Sequence, residues 1–357
     1  MPISAGDVIQ PAFQHTKQML LGPFRFGQWV RLAFVGLLAG EMSSFGGCNF
    51  SFPADTGHQA SPQIPSGDFP ALFTHYSALF TGLALALIAV GIVLLVLFTY
   101  ISSVMQFVLF DSVVARECHV RHGWTRRKQP GFRLFLWRLL FMLAVLAVLL
   151  IVIDIPAACA YAAGWFTHAG QHVLGLVLGG LVLFLILIAL IVFAAVVGVM
   201  TKDFVVPQMA LENLTVMEGW RRLWQRLRSE KGGYAAYIGI KIGLSIAATI
   251  VFGIGAIIAL VVLLILFGGV GGLGVLGGLA AGGSWNLYTI SAAVIFGLIA
   301  LAVLLFAVAL ICVPIIVFFP AYAIYFFAPR YSPLASLLWP EPPAPGATGA
   351  PPVLAPV

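Results

Sequence analysis

The 357-residue chain is 61% hydrophobic and only 8% charged, whereas about a quarter of a soluble globular domain is charged. A water-soluble fold is excluded. The formal net charge of +6 would suggest nucleic acid in a soluble protein, but every basic residue here lies beside a long apolar run. Anionic lipid headgroups therefore account for the charge, and no nucleic-acid partner is expected.

A hydrocarbon core of about 30 Å needs roughly 20 apolar residues of helix, and uninterrupted runs such as Ala78 to Phe110 exclude the dyad alternation of a membrane barrel. The predicted fold is all-α and polytopic, with spans at 27–45, 76–110, 132–163, 172–200, 234–267 and 287–319. Ahead of them, Ser4 could cap a helix with Asp7 at its third position, but Pro11 would then fall inside it. A start at Pro11 avoids that clash. The first span is the weakest, its apolar core running from Leu32 to Ala39 between Arg31 and Glu41. A central arginine costs about 2.5–3.5 kcal/mol against about 0.3–0.6 gained per large apolar residue. Arg31 can snorkel to the headgroups, and because a non-spanning segment would strand Lys17, Arg25 and Arg31 outside, we count it as spanning. The Gly/Ser/Pro-rich stretch 41–70 is predicted to be a disordered external loop. Pro156, Pro314 and Pro320 mark kinks or ends, and from Ser332 a Pro/Ala-rich disordered cytoplasmic tail is expected.

The lysines and arginines occupy four places: Lys17 to Arg31, Arg116 to Arg138, Lys202 to Lys241, and Arg330. Between them, 41–71, 164–172 and 268–287 contain none, so the positive-inside bias puts both termini and the basic loops in the cytoplasm of a bacterial inner membrane. Residues 1–28 lack the apolar core and small-residue site of a cleaved leader, so the first span is read as the anchor.

Aligning the basic loops shows a short repeat. Gly123-Trp124 with Arg126 and Arg127 matches Gly219-Trp220 with Arg221 and Arg222, and Gly131-Phe132 or Gly233-Tyr234 follows before a span opens. We read one membrane domain, 1–330, of three modules (about 1–110, 111–201, 202–330) and a tail, 331–357. Each module is a cytoplasmic interfacial amphipathic helix followed by a transmembrane hairpin. Each also sets a cation at the mouth of a span: Arg31, Arg138 and Lys241. Thr215 and Glu218 form a capping-box pattern. Beyond it Trp220, Leu223, Trp224 and Leu227 share a face. Such a helix lies among headgroups or packs on the protein's own spans. Trp124, Arg126, Arg127, Lys128, Trp220, Arg221, Arg222, Trp224, Arg226 and Arg228 are the candidate lipid-interface residues.

Catalytic chemistry is sparse. His168 and His172 share a helical spacing but lack a third ligand, as do Cys118, His119 and His122, so no metal site is expected. Cys48 and Cys159 could form an external disulfide, which their spacing cannot establish. Asp154 is an acid within an apolar run and hence a candidate transport group, although its place near the far headgroups, with Pro156 after it, favours a helix-terminal role. Asp111 and Asp203 read as interface partners of basic groups. No P-loop, dinucleotide fingerprint or nucleophile elbow is present, and no cofactor is expected.

Asp7 to Phe13, Pro23-Phe24-Arg25 with Trp29 and Arg31, Pro207 to Arg222, and Pro320 to Tyr325 carry a likeness to uncharacterised prokaryotic membrane proteins. The chain resembles the membrane region found beside some glycerophosphoryl diester phosphodiesterases, without their catalytic domain. The expectation is a non-enzymatic scaffold or accessory subunit contacting anionic lipid and other membrane proteins. The alternative is a transporter or channel for a small or amphiphilic solute.

Overall fold

The computed structural model describes residues 4–22, 24–41, 77–165, 172–280 and 287–339. Among these residues the chain is helical, with no strand. The helices are α1 (Ile9–Leu21), α2 (Phe26–Ala39), α3 (Ser77–Ala115), α4 (Val120–Ala162), α5 (Val173–Met200), α6 (Val206–Glu212), α7 (Val216–Ser229), α8 (Lys231–Ala280), α9 (Leu287–Ile311), α10 (Val313–Phe327) and α11 (Ser332–Leu338). A π-helical turn, Thr201–Val205, joins α5 to α6.

Among the described residues, six helical stretches are long and apolar enough to cross a membrane: Ala84–Ala115, Val120–Ala162, Val173–Glu212, Lys231–Gly269, Thr289–Ile311 and Val313–Arg330. This is an all-α polytopic membrane fold. Two expected spans differ from what is found. The first is represented by α2, whose 14 residues extend about 21 Å; it stops at Gly40, in the left-handed conformation at φ 76°, immediately before Glu41. The last divides at Cys312, where ψ opens to −4° and Pro314 contributes no backbone donor.

α1 and α7 are separate helices ahead of α2 and α8. The second module has no separate interfacial helix, because α4 runs unbroken for 43 residues through Pro130. The segment after Met200, expected as a loop, stays helical to Glu212. At the C-terminal side Ser332–Leu338 is helical with Leu334 buried, where irregular chain was expected. The 42–70 part of the external stretch and the final residues from 340 lie outside the described residues.

Burial is concentrated where the basic residues lie. The C-terminal part of α3 from Val104 to Val113, Leu134 and Phe135 of α4, Phe204 to Met209, Tyr234 and Tyr237 of α8, and nearly all of α10 make one core. The far halves of α3, α4, α5, α8 and α9 stay exposed around their circumference, with Leu85, Leu140, Leu174, Ile265 and Leu298 among the most open. A helix apolar on every side and uncovered by protein is one solvated by lipid. The fold is thus a packed basic end from which long apolar helices extend.

Both repeated glycines sit at close helix crossings. A Cβ at Gly123 would lie 3.1 Å from Val108, and one at Gly219 would lie 2.8 Å from Val205. In each copy the glycine lets a basic helix lie against the end of the preceding span. Aromatic packing then fixes the base of α8, with Phe204 5.1 Å from Tyr237, and Tyr237 4.6 Å from Phe326 and stacked on Tyr322 at 5.1 Å.

Candidate functional site: a cationic cleft between apolar helices

Close to the packed end, α3, α4, α5 and α8 diverge around a cavity of ≈ 1010 Å³. Its walls are aliphatic: Val192, Ala195, Val196 and Val199 on α5 face Ile238, Ile242, Ile246 and Ile250 on α8. Ile242 and Ile250 remain 55% and 59% exposed, so the cavity opens sideways onto the apolar surface. Arg138, Lys202 and Lys241 also line it, with Ser102 and Gln106. An apolar chamber with a few convergent polar groups is the usual form of a small-molecule site.

The three cations are held differently. Lys202 donates to Glu41, and Lys241 donates to Asp203. Tyr237 also donates its hydroxyl to Asp203, at 2.8 Å. Arg138 instead donates to the amide oxygen of Gln106 at 2.8 Å, and among the described residues it has no carboxylate within ion-pair distance. Gln106 is oriented by its own amide nitrogen, which donates to the Ala39 carbonyl at 3.3 Å, where Ser102 donates at 3.1 Å. The end of α2 is thereby tied to α3 at the level of the cations.

Glu41 and Asp203 lie behind the cations rather than on the cleft. With Lys202, Gln106, Pro207 and Pro320 they surround a second cavity of ≈ 30 Å³, room for about one water. Glu41 is fully buried, and its Oε1 has no hydrogen-bond partner among the described residues. The π-helical turn is what sends Lys202 to the cleft and Asp203 into the core. Such insertions recur at functional positions because the extra residue re-aims its neighbours.

Two of the sequence-predicted mouth-of-span cations, Arg138 and Lys241, thus converge. The third does not. Arg31 donates to the Cys118 carbonyl at 3.4 Å and borders a separate cavity of ≈ 820 Å³ with His119, Arg121 and His122. Lys202, Glu41, Gln106 and Ser102 were not singled out as site residues. Lys202-Asp203 is the one charged doublet in the apolar stretch 173–211, and that was the available signal.

The interface residues also divide. Arg126, Lys128, Arg221, Trp224 and Arg228 are exposed, with Arg228 over the Trp224 ring at 5.3 Å. Arg127 is not at the surface: it is buried, pairs with Asp111 through two hydrogen bonds of 2.6 and 2.7 Å, and donates to the Ala210 carbonyl at 2.7 Å. It anchors α4 to α3 and α6, which satisfies a charge that burial would otherwise make costly. Trp124 meets Tyr100 edge-on at 6.1 Å, and Trp220 stacks on Trp137 at 6.2 Å. Arg222 pairs with Glu212, and Arg226 lies over Phe327 and Tyr331 at 5.4 and 5.1 Å. The capping box at Thr215 and Glu218 is present, and Val216, Gly219 and Leu223 are buried, so α7 packs its apolar face on the protein.

Asp154 is exposed on α4, 16 residues and about 24 Å along the axis from Arg138, and does not line the cleft. No group of three metal-ligating side chains occurs among the described residues. Cys48 and His168 lie outside them, so the disulfide and histidine-pair readings concern residues not described.

No curated protein and no solved structure matches this chain. A family model does match, over residues 3–337, which takes in the cleft and the packed end that supports it. The chain belongs to the family of unknown function DUF7544.

Proposed function

We propose that this protein is a non-catalytic, multi-pass inner-membrane protein that holds an anionic amphiphile, in the first instance a membrane phospholipid, in the cleft between α3, α4, α5 and α8, and acts as a scaffold or accessory subunit. The observation that carries the reading is Arg138, a half-buried guanidinium facing an apolar chamber with a neutral amide as its described side-chain partner. A charge in such surroundings favours an anionic partner, and a guanidinium fork suits a phosphate. The aliphatic walls accept acyl chains, and the sideways opening permits entry from the bilayer.

The basic end is assigned to the cytoplasmic side on the positive-inside rule. Arg126, Lys128, Arg221 and Arg228 add attraction to anionic headgroups there, about 1 kcal/mol each near such a surface. The likeness to the membrane region beside phosphodiesterases enters as a shared lipid setting, with no activity carried over. The competing reading, a transporter with Asp154 on its path, draws no support from where Asp154 lies.

The test is lipid retention. Full-length protein purified in mild detergent should carry anionic phospholipid, visible by native mass spectrometry. Arg138→Gln, with folding checked by thermal unfolding, should lose most of it. Equal occupancy by phosphatidylcholine, or retention unaffected by Arg138→Gln, would remove the proposal.

A further inference from the structure

The cleft's charge count specifies the class of headgroup. This inference rests on the amphiphile reading above and adds a selection rule to it. The charged groups facing the cleft are Arg138 from α4, Lys202 from the π turn and Lys241 from α8, with Glu41 following α2 and Asp203 of the π turn directly behind them; α3 contributes the neutral Ser102 and Gln106, and the Tyr237 hydroxyl of α8 donates to Asp203. Three cations against two carboxylates leave one positive charge unmatched, and the geometry places it on Arg138. We infer that the cleft selects a singly charged phosphodiester amphiphile over a phosphomonoester, with Glu41 as the built-in counter-anion that sets this limit.

Buried charge sets the preference. A phosphodiester carries one negative charge and brings the cluster to neutrality. A phosphomonoester carries about −1.5 to −2 at neutral pH, with a second pKa near 6, and would leave an unpaired negative charge beside a fully buried Glu41. An uncompensated charge in such a place is strongly unfavourable. The dianion is accommodated when the phosphate itself takes up one proton. Glu41 is the fixed negative charge behind this limit: it is fully buried and holds Lys202 by one oxygen, while the other has no hydrogen-bond partner among the described residues.

The experiment compares phosphatidylglycerol with phosphatidic acid, each titrated in neutral detergent micelles into full-length protein at pH 7.5. Wild type should prefer phosphatidylglycerol by about tenfold or more, as expected when one buried charge goes unpaired. Glu41→Gln raises the net charge by one and should shift the preference to phosphatidic acid. Glu41→Gln with Lys202→Met removes the pair together, restores the original count and should restore the original preference. Should Glu41→Gln alone fail to fold, wild type still decides the matter: lowering the pH from 7.5 to 6 should tighten phosphatidic acid and leave phosphatidylglycerol unchanged. Binding of both lipids through Arg138 with equal strength and no pH dependence would overturn the charge rule while leaving the amphiphile site standing. Binding of neither would overturn the site itself.

Discussion

His15 shows how one side chain joins three helices. It is buried on α1; its Nε2 lies 2.9 Å from the Val113 carbonyl of α3, and its Nδ1 lies 3.3 Å from the Tyr325 hydroxyl of α10. A carbonyl can only accept, so Nε2 carries the proton and Nδ1 accepts from Tyr325 in the neutral ring. Burial lowers the His15 pKa; the Val113 hydrogen bond opposes that shift, and the nearby Arg116 charge adds to it. The unfolded chain therefore binds the proton more readily than the folded one, and the stability due to neutral His15 is present in full above the ordinary value near 6.5. It is lost as pH falls from there toward the folded value. Thermal unfolding of the full-length protein should drop more between pH 7.5 and 5.5 for wild type than for His15→Gln. Parallel pH profiles would show that His15 does not contribute.

At the scale of elements, the close crossings carry the fold. Gly219 lies against Val205 at the π turn that presents Lys202 and Asp203, so added volume there acts on the cleft through its support. Gly219→Ala should destabilise by about 1–3 kcal/mol, the usual effect of overpacking, and should weaken lipid retention as well. The same change at the exposed Gly239, where an added Cβ meets nothing within 4 Å, should do neither. The Gly-Trp repeat was legible in sequence, as were Arg138 and Lys241, because spacing and charge are written in residue order. The π turn was not legible: Thr201 to Val205 sit between an apolar run and a proline, and nothing in that order distinguishes an inserted helical residue from the start of a loop. Glu41 was visible as the flank of a weak span, whereas its pairing with Lys202, 161 residues away, depends on tertiary packing alone.

Across the described residues, one end is packed like a soluble core, and long helices apolar enough to cross a membrane extend from it. Asp7 to Phe13, Pro207 to Arg222 and Pro320 to Tyr325 lie at that packed end. α1 lies along α10, with the Tyr322 hydroxyl donating to the Ala5 carbonyl at 3.1 Å, and α7 caps the π turn and α6. The spans were readable from hydropathy because lipid imposes one simple demand on every exposed residue. Their ends were less so, since α4 and α5 continue helical beyond the apolar run where protein packing replaces lipid. The even number of crossings implied by the charge distribution predicts that the exposed Arg126 and Arg228 share a side. Single cysteines at those positions, in a chain otherwise free of cysteine, should both react with an impermeant maleimide only after the cytoplasmic face is opened. Reaction of one from each face would contradict the topology.

Contact between lipid and cleft is the central claim, and photocrosslinking reads it most directly. Full-length protein would be reconstituted with phosphatidylglycerol bearing a diazirine in its acyl chain, irradiated, and its adducts mapped by mass spectrometry. The account predicts adducts concentrated on Val192 to Val199 of α5 and Ile238 to Ile250 of α8, and their loss in Arg138→Gln. Adducts spread evenly over the exposed faces, as dense on Leu143 to Ile151 or Ile257 to Leu266 as in the cleft and unaltered by Arg138→Gln, would contradict it.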